Sequence, residues 1–133
     1  MREQLLYRRQ FLLARHSVPE LDGLKTLQVG NYCLYVHPDL QTTIAHDANR
    51  TLILLGYFFD TENYQLSNQE ILTRVLTSAN DFDTFILALK PYSGRYAILY
   101  KDNEVFRIVH DALGLREVYY YQHENEIVCG SQP

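Results

Sequence analysis

Apolar residues along this chain change their spacing twice, from strand-like to helix-like near residue 67 and back again after residue 94. Gln10 to Arg15 predicts a short strand, followed by a polar loop through Pro19 and Gly23. Leu27 to His37, Thr42 to His46 and Thr51 to Asp60 predict three further strands, rich in Val, Ile, Tyr and Phe. Pro38-Asp39 and Asp47-Ala48-Asn49 separate them. At Ser67 the period lengthens: Ile71, Leu72, Val75 and Leu76 recur at helical spacing, and Ser67-Asn68-Gln69-Glu70 has the form of a capping box. A second helix is predicted from Phe82, Phe85, Ile86 and Leu89, with Asn80 as its N-cap and Pro91 with Gly94 ending it.

After Gly94 strands return at Arg95 to Lys101, Glu104 to His110, Glu117 to Gln122 and Ile127 to Gly130. Turns are expected at Asp102-Asn103 and around Glu124-Asn125, and the last four strands read as a meander. Arg95 to Tyr100 is apolar on both sides, which suits a strand in the middle of a layered structure. Strands, then helices, then strands place the chain in the α+β class, as two β-layers with helices over an outside face.

A length of 133 residues fits one domain, and 47% hydrophobic with 21% charged residues is globular composition. A net charge of −4, with no basic run longer than Arg8-Arg9, argues against a nucleic-acid partner. The longest apolar runs, such as Leu52 to Phe59, fall short of the roughly 20 residues of a membrane-crossing helix, so no membrane partner is expected. Met1 to Arg15 lacks the order of a secretory signal, and cytoplasmic residence is the expectation. Cys33 and Cys129 both lie in apolar segments and read as reduced core thiols.

His37-Pro38-Asp39 and His46-Asp47 bring together residue types that bind metals. Their spacing matches no recurrent metal pattern, and each sits beside a turn, so no metal site is assigned. Cys33 and His37 on one strand would stand about 13 Å apart, too far for a thiol and its base. Tyr119-Tyr120-Tyr121 must point to both faces of a strand, so at least one of these side chains should meet solvent or a partner.

Gly94-Arg95-Tyr96-Ala97, His110-Asp111-Ala112-Leu113-Gly114, Glu117-Val118-Tyr119-Tyr120 and Gly130-Ser131-Gln132 follow one another in a suggestive order. Over residues 51–133 the chain resembles the N-terminal glutaminase domain of asparagine synthetase and other class II glutamine amidotransferases. The resemblance implies an N-terminal-nucleophile-hydrolase-like fold, a four-layer αββα sandwich of largely antiparallel sheets. It also implies a single glutaminase-like domain over 1–133 that forms the front of a longer chain.

Members of that family use a cysteine exposed by removal of Met1, whose own α-amino group serves as base. Here the second residue is Arg2. Leu55-Gly56-Tyr57 stands where the family has Asn-Gly-Glu, and Ser67-Asn68-Gln69-Glu70 where it has Ser-Asp-x-Glu. Only Arg15-His16-Ser17-Val18-Pro19 faintly echoes the expected Arg-Gly-Pro. Gly56 and Asn68 are therefore expected as vestiges of a substrate site, with no catalytic residue and no metal ligand.

The implied role is that of a non-catalytic structural or docking module for an ATP-dependent amide-forming synthetase domain, in cis or in a partner protein. ATP and Mg belong to that domain if it follows, and no cofactor is expected in this one. A homo-oligomer stays open. The alternatives are an active amidotransferase with an unrecognised nucleophile, and a free-standing protein- or metabolite-binding module.

Overall fold

A computed structural model describes residues 9–21, 23–103 and 105–132, apart from the side chain of Glu20. Arg2, Glu104 and Pro133 lie outside the described residues. Two compact units emerge, Met1–Gln41 with Glu117–Pro133, and Thr42–Arg116. Both are built on antiparallel sheets, and the fold is mixed α+β.

In the first unit β1 (Phe11–Ala14), β2 (Lys25–Val29), β3 (Tyr32–Val36), β8 (Tyr119–His123) and β9 (Glu126–Gly130) form a five-stranded sheet in the order β2-β3-β1-β9-β8. Phe11, Leu13, Leu34, Val36 and Cys129 line one of its faces and are all but inaccessible. Burial pushes the Cys129 thiol up to about 12, so it behaves as an apolar group; Cys33 is only half-buried.

The single strand expected over Leu27 to His37 is a hairpin. Val29 pairs with Tyr32 across Gly30-Asn31, and Gly30 takes φ 58. Glycine at the first of two turn positions is what a type II′ turn needs, and that chemistry outweighs the apolar run on either side.

The second unit carries a four-stranded sheet, ordered β4-β5-β6-β7, from β4 (Thr42–His46), β5 (Arg50–Asp60), β6 (Tyr92–Asp102) and β7 (Val105–His110). The expected four-strand meander is therefore two hairpins in different sheets, divided by residues 111–118. Helices α1 (Asn68–Ser78) and α2 (Phe82–Ala88) belong to this unit. Ile71, Leu72, Val75, Leu76 and Phe85 pack with Leu52, Leu54, Phe58, Ile98 and Tyr100 in one core. The alternate residues Ile53, Leu55, Ala97 and Leu99 are as fully buried, so both faces of the central strands are inaccessible over residues 52–55 and 96–100, as their two-sided apolarity predicts.

The capping box at Ser67 forms as its letters require, with the Glu70 N–H donating to Ser67 Oγ and the Ser67 N–H to Glu70 Oε2. The second helix is capped by Asp81 rather than Asn80. Its carboxylate accepts the Thr84 N–H at 2.8 Å and the Thr84 hydroxyl at 2.7 Å, a charge-assisted arrangement that an amide would weaken. Gly94 does not end that helix but lies inside β6. A Cβ there would stand 2.2 Å from the Tyr57 carbonyl oxygen and 2.6 Å from Phe58 Cα.

One arginine ties the sheet to the first helix. Arg50 Nη2 reaches Asp47 Oδ2 at 2.7 Å and the Leu76 carbonyl at 3.0 Å, and Nη1 donates to the Ala79 carbonyl. The guanidinium thus takes up carbonyls that the end of α1 leaves without intrahelical donors. Arg50→Met should lower unfolding free energy by about 2–3 kcal/mol by stranding these acceptors. Arg50→Lys should recover only part of the loss because one ammonium cannot span the fork. Urea unfolding of the three proteins measures both effects.

Candidate functional site

The central pair β5–β6 is longer than the strands beside it, and the candidate site lies where it outruns them. Both members have eleven residues, against five in β4 and six in β7. Pairing with β4 stops at Leu55 and pairing with β7 at Ala97. Beyond those points the outward backbone groups of Gly56, Phe58 and Tyr96 need other partners, since buried peptide groups are costly to leave unbonded.

Asn68, the first residue of α1, serves one edge. Its Oδ1 accepts the Phe58 N–H at 3.2 Å and its Nδ2 donates to the Gly56 carbonyl at 3.4 Å. The side-chain amide stands in for the next residue of β4. The two residues expected as substrate-site vestiges are thus brought together, bonded to each other's segment.

Asp111 serves the other edge. Its N–H donates to the Tyr96 carbonyl at 3.0 Å, and its carboxylate accepts the N–H groups of Tyr96, Leu113, Leu115 and Arg116 at 2.9 to 3.2 Å. Burial pushes this carboxyl up, but the four backbone donors outweigh it and hold it below the ordinary aspartate value. Tyr96 is raised by its own burial and by the Asp111 charge. Gly114, at φ 65, closes the turn with its N–H on the Asp111 carbonyl at 2.9 Å. His110 Nδ1 meets the same oxygen at 2.8 Å, so that nitrogen carries the proton and the imidazole anchors the turn.

Arg116 completes the cluster. Only 7% exposed, it lies so close to Gly56 that a Cβ there would come within 3.3 Å of Nη2 and 2.2 Å of the Arg95 carbonyl oxygen. At φ 108 Gly56 is also in a backbone region that favours glycine. Nothing in the spacing of the sequence marked Arg116. The five-residue separation from Asp111 becomes meaningful only once the turn is built.

The remaining candidate groups are engaged elsewhere. Leu55 is wholly buried and Tyr57 half-exposed. Gln69 Nε2 donates to the Ile44 carbonyl at 3.0 Å. Cys33 Sγ donates to Gln28 Oε1 at 3.3 Å, while His37 Nδ1 accepts the Asp39 N–H at 3.0 Å, so this pair does not act together. Asp47 is lowered by the Asn49 backbone N–H and then by the Arg50 guanidinium, and is spent on its own turn. Among the described residues no His, Cys, Asp or Glu cluster is arranged to hold a metal. No helix among them is long and apolar enough to cross a membrane.

Comparison with protein-family models gives no match, and no curated protein matches the chain.

Asn68→Asp should destabilise the protein by about 1–2 kcal/mol, because a carboxylate can accept from Phe58 but cannot donate to Gly56. Denaturant unfolding checks it. Asp111 contributes stability that is present above the unfolded aspartate value of about 3.9 and is lost as pH falls through its lower folded value. Asp111→Asn should therefore cost about 2–3 kcal/mol near neutrality and flatten the acid limb of stability against pH. Urea midpoints between neutral and strongly acidic pH would show the flattening.

Proposed function

We propose that this chain is a glutaminase-like domain without glutaminase chemistry, a structural or docking module related to those of asparagine synthetases. Its partner is an ATP-dependent amide-forming synthetase domain, in cis or in another protein. ATP and Mg enter only with that domain. The N-terminal-nucleophile-like four-layer αββα arrangement is part of the proposal. In support stand two antiparallel sheets, a two-helix cover on the four-stranded one, and central strands inaccessible on both faces over residues 52–55 and 96–100. The four-layer form would further require helices on the outer face of the five-stranded sheet.

The observation that carries the functional reading is the state of Asn68. In a working substrate clamp the side chain at this place would face a ligand's charge. Here both ends of the amide are taken by the backbone at Gly56 and Phe58. Ser67 and Glu70, its neighbours in the same motif, are likewise bound to each other in the cap. A preorganised oxyanion site needs donors aimed at the reacting centre, and the buried apolar side chain of Leu55 supplies none.

Incubation with glutamine should release no glutamate above the buffer blank, and calorimetric titration should give no heat of glutamine binding. Steady release by the wild type that Cys33→Ala abolishes would establish the amidotransferase alternative instead.

A further inference from the structure

We draw no further inference here: the strongest candidate, the exposed tyrosine edge of β8 with the open apolar groove it shares with β1 and β9, is a surface without a partner among the described residues, and nothing in the structure shows what covers it.

Discussion

The second unit depends on one mismatch of length. Strands β5 and β6 pair over eleven residues while their outer neighbours stop short, so the far half of the pair projects with unclaimed backbone groups on both edges. Gly56 and Gly94 allow the two backbones to come as close as they do there, with no room for a Cβ on either. Helix α1 and the turn after β7 are then placed where they can complete the ladder, Asn68 from one side and Asp111 from the other.

The five-stranded sheet solves the same problem in the same way. Pairing of β1 with β9 reaches Gly130, and Ser131 then carries it one step further. Its N–H donates to the Phe11 carbonyl at 3.1 Å and its hydroxyl accepts the Phe11 N–H at 3.0 Å. Asp111 treats Tyr96 identically, giving its N–H to the carbonyl and taking the N–H on its side chain. Asp111 and Ser131 are both letters on which the family resemblance rests. Their duties in this structure are those of strand ends, which require no substrate.

Features fixed by near neighbours were legible in the sequence. The Ser67 capping box, the Asp111 turn closing on Gly114, and the two-sided burial of Tyr96 to Tyr100 all follow from residues within a few positions of one another. Gly30-Asn31 was equally local; its signal was overridden by the apolar run around it. What could not be read was long-range. Arg50 finds carbonyls 26 and 29 residues away, and nothing near it announces them. The division of the last four strands between two sheets has the same origin, because a loop such as 111–118 can either turn back or cross, and distant pairing decides. That the Asn68 amide bonds the backbone at Gly56 and Phe58 was likewise not legible.

Why an amide stands at 68 and a carboxylate at 111 follows from the groups each must satisfy. Asn68 faces one N–H and one C=O, and only a side chain with both a donor and an acceptor fits that demand. Asp111 faces four N–H groups and no acceptor, where an ionised carboxylate offers enough lone pairs and gains from the charge. Exchanging the two residues would leave a carboxylate against the Gly56 carbonyl and an NH₂ against backbone donors. The polarity of each side chain is thus set by the backbone it completes, and an acid at 68 would keep the Phe58 N–H but leave the Gly56 carbonyl without its donor. At position 68 both ends of the amide are held by the edge of β5.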